Sequence, residues 1–162
     1  MKSYFLDEFE NVDQYRKFMR YMLLKSDSFS LIYFKYKENE KMKKNVKDIF
    51  NGLNEYKLYS KKVNKWPNTE TYDNNHIYKY VMYSSNLKCL DILLRIEGIY
   101  GWDYPNAPMD LCFYKNGYCW LAITGHERMA YLYTDNMLEI EELKNLGAGL
   151  TYDSNETEIF YI

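Results

Sequence analysis

Two histidines, three cysteines and a scatter of carboxylates hold most of the chemistry open to this 162-residue chain. His126 stands in Gly125-His126-Glu127-Arg128, directly behind an aromatic-rich stretch. With Glu127 beside it, His126 has the makings of a general base and its orienting carboxylate, which would support hydrolysis. A plainer reading makes His126 a strand-end histidine that orders a turn, and a third makes it a contact to a ligand or partner. His76 lies in a separate polar run, Tyr72-Asp73-Asn74-Asn75-His76. Metal binding needs three or four convergent ligands. No HExxH spacing supplies them, because position 130 is Ala, so neither a metal nor a cofactor is expected. Gly147-Ala148-Gly149 lacks the Lys and Ser/Thr of a phosphate loop and reads as a helix stop. Glu141-Glu142 reads as a solvated helix surface.

The densest segment is Tyr100 to Arg128, YGWDYPNAPMDLCFYKNGYCWLAITGHER, with two of the three Trp and two of the three Cys. Asn116-Gly117 is a strong signal for a two-residue hairpin turn between strands 111–115 and 118–124. Tyr114 should then face Cys119, and Cys112 should face Leu121. The two thiols would lie diagonally, about 7–8 Å apart between Cα atoms, which is too far for a disulfide. Reduced core thiols are expected for Cys112, Cys119 and Cys89. Ahead of the hairpin, Trp102-Asp103-Tyr104-Pro105 must be a loop, because Pro105 and Pro108 exclude regular structure. Exposed, its aromatics flanking an acid would form a recognition surface. Buried, Trp102 would plug the end of a helix. The candidate binding residues are therefore Trp102, Asp103, Tyr104, Asp110, His126, Glu127 and Arg128, with no catalytic residue assigned.

The elements that must position them follow from periodicity. Tyr15, Phe18, Met19, Met22 and Leu23 repeat at helical spacing behind Asn11 and Gln14, a capping-box pair. Residues 29–36, FSLIYFKY, read as a strand. Residues 40–62 read as a helix with Met42, Val46, Ile49, Leu53 and Tyr56 inward and a Lys-rich outer face, stopped by Trp66-Pro67. Residues 77–83 read as a strand, and 86–100 as the most buried helix, capped by Ser85. Tyr131-Leu132-Tyr133 could extend the sheet. Asn136 and Glu139 open a last helix that ends near Gly147, and 157–162 close the chain as a strand. This order predicts one globular α+β domain over 1–162: a single mixed or antiparallel sheet with about four helices packed on it, a two-layer sandwich.

Composition narrows the function. Apolar residues make up 47%, enough for a packed core. Residues 1–65 carry 15 Lys or Arg against 9 Asp or Glu, and 66–162 carry 6 against 14. The halves are thus +6 and −8, a dipolar chain of net −2. An overall acidic chain argues against nucleic acid as a partner. The first residues, MKSYFLDEFENV, lack the pattern of a signal peptide, and no apolar run approaches a membrane span. A cytoplasmic protein is expected. The 19 Tyr and 15 Asn beside only 4 Ala fit an AT-rich coding sequence, or else a Tyr-rich recognition surface.

Trp66-Pro67, His76-Ile77-Tyr78 and WDYPNAPMDLCFYKNGYCWLAITGHER resemble a group of small Bacillus-type (Firmicutes) proteins, some labelled "stage III sporulation protein AH". The resemblance spans most of the chain. It implies a cytosolic Firmicutes or phage-like protein, and it transfers no functional residue. The residues themselves favour a non-enzymatic binding protein, such as an immunity, inhibitor or defence-related factor, acting through an aromatic and acidic surface on a protein partner. Alternatives are a binder of a small nucleotide-like ligand, with aromatic stacking and Arg128 or Lys on phosphate, and a hydrolase using His126 and Glu127.

Overall fold

The computed structural model describes residues 1–35, 37–155 and 158–162. Its elements are β1 (Ser3–Leu6), α1 (Val12–Lys25), β2 (Ser28–Phe34), α2 (Lys44–Leu53), β3 (Lys57–Val63), β4 (Lys65–Trp66), β5 (Thr69–Glu70) and β6 (Tyr78–Ser84), followed by α3 (Leu90–Leu93), β7 (Met109–Lys115), β8 (Tyr118–Thr124), β9 (Met129–Tyr133), α4 (Met137–Asn145) and β10 (Leu150–Asp153). The fold is α+β. Eight strands form one sheet in the order β10-β1-β9-β8-β7-β2-β6-β3, and every pairing in it is antiparallel. A single sheet was the expectation, but β4 and β5 form a second, two-stranded one. The expected strand ends at Tyr36 and Thr157 lie outside the described residues.

Local signals set α1, the central hairpin and α4. The Asn11 side chain accepts a hydrogen bond from the Gln14 amide at 2.9 Å, and the five apolar residues of the α1 stripe are buried. Asn116 and Gly117 both take positive φ, 53° and 80°, as a primed hairpin turn requires. Asn136 accepts from the amides of Leu138 and Glu139 to start α4.

Two predicted helices are largely overturned. The 40–62 helix is only α2, and its second half is β3. Lys57 to Val63 pairs with β6 in a register running from Lys57↔Tyr83 to Val63↔Tyr78. This ladder pairs the β6-facing backbone groups of β3 across a long sequence separation, so tertiary pairing outweighs local periodicity. The 86–100 helix contracts to α3 flanked by 3-10 turns. The helix ends with its cap at Leu94; Gly98 at φ 77° then turns the chain, and the Glu8 carboxylate accepts from the amides of Ile99 and Tyr100. Asn86 rather than Ser85 caps its start.

The sheet is apolar on both faces. On one, α1, α2, α3 and α4 bury a core containing Phe18, Ile49, Leu93, Trp102, Trp120 and Leu143. On the other, Ile32, Tyr80, Met82, Cys112 and Tyr114 form a second cluster, closed by Trp66 and by Ile159 and Phe160 of the C-terminal segment. The Phe160 carbonyl accepts from the Cys119 amide, which ties that segment to β8. A bulge in β8 shifts the register between Phe113 and Tyr114, so Cys112 faces Ala122 instead of the expected Leu121. The inserted residue lets Trp120 and Leu121 both point to the helical side. All three cysteines are free and buried.

Leu93 in α3 is fully buried in the helical core. Leu93→Ala should cost about 2–5 kcal/mol through lost burial and the cavity left behind. A urea midpoint equal to that of the unmodified protein would show that α3 is not core.

A candidate binding cleft around two histidines

The site is built around Asp110, the second residue of β7. Its φ is +52°, and the residue is 1% exposed. Aspartate is one of the few residues that tolerates the left-handed region. This backbone shifts the β2–β7 register between Ser30 and Ile32. The Asp110 carboxylate accepts from the Trp66 indole N–H at 2.7 Å and from the Gly125 amide at 2.9 Å, and it lies 3.4 Å from Nδ1 of His126. Its own amide donates to the Trp102 carbonyl at 3.1 Å. One buried residue, through its carboxylate and its amide, thus ties together the β4–β5 hairpin, the loop after Trp102 and the end of β8.

Local sequence delivers each of these groups. Pro67-Asn68, with Asn68 at φ 58°, is the turn between β4 and β5, and it swings Trp66 over the second cluster. Gly125 is required by close approach. A Cβ there would lie 2.0 Å from the Trp102 carbonyl oxygen. The Asp73 side chain accepts from the Asn75 amide and pairs with Nδ1 of His76 in the same turn.

Above Asp110 opens a cleft of about 470 Å³, lined among others by Phe34, Trp66, Tyr78, Tyr104, His76 and His126. The rings form a continuous ladder. Tyr104 meets Phe34 at 4.7 Å, Phe34 meets Tyr78 at 5.4 Å, Tyr78 meets Trp66 at 5.3 Å, and His76 lies against Phe34 at 5.1 Å. The acids on the lining are Glu70, Asp73 and Asp103, and no Lys or Arg is found among the described lining residues. Both histidines of the chain therefore face one cleft, each paired with an aspartate. Asp110 beside His126 raises the imidazole pKa above its ordinary value, against the opposing effect of partial burial. Burial raises the Asp103 carboxyl, and the His126 charge partly offsets that. The hydrogen bond from His76 lowers the Asp73 carboxyl.

The predicted site residues divide. Asp103, Tyr104 and His126 line the cleft, and Asp110 supports it from beneath. Trp102 is fully buried and donates its indole N–H to Tyr15, so it plugs the core and offers nothing to a partner. Glu127 and Arg128 are exposed beyond the cleft, and the Arg128 guanidinium lies 5.3 Å from the centre of the Tyr100 ring. The carboxylate that orients His126 is Asp110, not Glu127. Sequence reading passed over Phe34, Trp66, Glu70, Asp73 and Tyr78. The run around His76 was the one signal that could have drawn Asp73 in. The thiols stand apart from this chemistry: burial pushes Cys89 to about 11, and burial also raises Cys119. Among the described residues, no group of three or more His, Cys, Asp or Glu is placed to share a metal. No helix among them is long and apolar enough to cross a membrane.

These features define an α+β protein with an acidic, aromatic-walled cleft. No protein-family model, curated protein or solved structure matches the chain.

Asp110→Asn should bring the titration midpoint of His126 down toward 6.5, its ordinary value. A histidine Cε1 proton titration by NMR reads this directly, and an unchanged midpoint would remove Asp110 as the cause. The sign for stability follows. The pair stabilises the fold fully below the unfolded histidine pKa of 6.5, and its contribution fades as pH rises through the raised native value. The Cβ of Gly125→Ala would force the Trp102 carbonyl away. We expect a loss of about 1–3 kcal/mol, as in other overpacked sites, together with altered His126 resonances. Unchanged stability and spectra would show that the loop yields freely.

Proposed function

We propose that this is a non-enzymatic binding protein of the immunity, inhibitor or defence-related kind, which engages a protein partner through the aromatic and acidic cleft. The observation that carries the reading is the convergence of the Tyr104–Phe34–Tyr78–Trp66 ring ladder with three carboxylates at one open cleft. Aromatic anchors beside fixed charges supply contact area together with orientation. The cytosolic Firmicutes or phage-like setting implied by the sequence resemblance belongs to the same proposal.

A nucleotide-like ligand has less support, because a phosphate would meet carboxylates and no lining Lys or Arg. Acid–base hydrolysis remains the second reading on one specific observation, the two His–Asp pairs sharing the cleft. It would use His126 with Asp110 and His76 with Asp73, in place of the expected His126–Glu127 pair.

The test is titration of an isolated partner against cleft variants. Tyr104→Ala should weaken binding by about 2 kcal/mol, roughly thirtyfold, with an unchanged fold by circular dichroism. Lys61→Ala, on the exposed β3 edge, should leave affinity unaltered at physiological salt. Normal binding by Tyr104→Ala with loss in Lys61→Ala would place the interface on the β3 edge instead of the cleft. A reproducible turnover abolished in folded His126→Ala would instead favour the hydrolase.

A further inference from the structure

The binding reading leaves the chemistry of the group that enters the cleft unspecified, and charge with ring geometry narrows it. We infer that the cleft receives the guanidinium of an arginine side chain presented by a basic protein partner. This rests on the cleft being the binding site.

The first argument is charge. Glu70, Asp73 and Asp103 line the cleft, and the buried Asp110 lies directly behind His126. Glu40 adds a carboxylate at the rim, where it accepts from the Tyr104 hydroxyl at 2.9 Å. Lys37 acts on Asp73 from outside the lining. An anion entering here would face an excess of like charge, whereas a cation would relieve the cost of holding Asp103 in partial burial.

The second argument is shape. Phe34, Tyr78 and Tyr104 line the cleft as parts of one ring ladder. Ring faces attract cations, and a planar guanidinium stacks on them while its fork of N–H groups reaches carboxylates in pairs. A lysine ammonium offers neither the stacking nor the fork, and it is more strongly hydrated. The volume of about 470 Å³ is ample for one arginine side chain and open enough for it to arrive on a surface.

The third argument is the proton on His126. Asp110, Asp103 and Glu127 are the charged groups acting on that imidazole. Its proton neutralises part of the charge an arginine would otherwise meet. Arginine binding and His126 protonation therefore oppose each other, and affinity should rise as His126 deprotonates.

Three blocked peptides differing at one residue separate the possibilities on the full chain: arginine, its neutral isostere citrulline, and phosphoserine. The readout is NMR of the His76, His126 and Trp66 side chains at concentrations up to ~10 mM, the range in which a lone anchor binds. The arginine peptide should shift these resonances saturably, with citrulline about tenfold weaker or more. Asp103→Asn and Glu70→Gln should each weaken the arginine peptide, and its affinity should climb as pH is raised through the His126 midpoint. Equal binding of citrulline, or cleft shifts produced by phosphoserine and not by arginine, would overturn the inference while leaving the cleft a binding site. If none of the three peptides moves these resonances, the inference and the cleft reading both fall.

Discussion

A buried carboxylate cannot be left alone. Taking Asp110 out of water costs several kcal/mol unless donors replace the lost solvent. Here the donors come from two segments far apart in sequence, the Trp66 indole on one and the Gly125 amide with the His126 ring on the other, while the Asp110 amide holds a third segment through the Trp102 carbonyl. None of those segments has much else to fix it. The β4–β5 hairpin has two residues per strand, the loop after Trp102 is irregular, and residues 125–127 form a single 3-10 turn. The carboxylate and the backbone amide of one residue therefore set the relative placement of all three. The left-handed backbone at Asp110 is the local cost of aiming its carboxylate inward. The same arrangement holds His126 at the cleft edge with its Nδ1 turned to an acid.

A second buried carboxylate follows the same rule without forming a site. Glu139, only 5% exposed, pairs with Lys115 and accepts from the Trp120 indole, while Lys115 also lies 4.2 Å from the centre of the Trp120 ring. All of its partners sit on the β7–β8 hairpin, so it docks α4 on a rigid unit and leaves no opening. The contrast lies in what covers the two acids. Around Asp110 the covering elements are short and irregular, and they leave a gap that aromatic side chains line but do not fill.

What sequence reveals here depends on how local each determinant is. Asn11, Asn116-Gly117 and Asn136 act through neighbours two or three residues away, and the elements they start or turn appear where they were expected. β3 was missed because Lys57–Val63 follows directly on a helical repeat, and its strand state depends on β6 partners beyond an intervening hairpin. Trp66-Pro67 read as a helix stop, since nothing near it announces an aspartate forty-four residues later. The same distance hid the cleft. Its ladder joins residues 34, 66, 78 and 104, which no spacing rule connects. Asp103, Tyr104, Asp110 and His126 were legible because they crowd one segment whose composition stands out. Trp102 shared that segment, and a large aromatic in a loop reads alike whether it faces solvent or the core.

The charge asymmetry takes on meaning once the chain is folded. Lys57, Lys61 and Lys62 are exposed on β3, the last strand of the sheet. Lys62 faces Lys79 directly across the β3–β6 pair. Like charges so placed cost stability, but lysines on an open edge discourage another chain from adding a strand. The positive excess of the first half therefore serves in part to protect an edge, where the Lys-rich face of a helix was expected. The negative excess of the second half supplies Glu70, Asp73, Asp103 and Asp110 to the cleft. A molecule charged this way presents opposite signs at different places, and a basic partner would be drawn to the cleft and repelled from the lysine edge. Such steering sets the face of approach before any ring or carboxylate is touched, so association rate and salt dependence become properties of the whole charge distribution and not of the cleft alone.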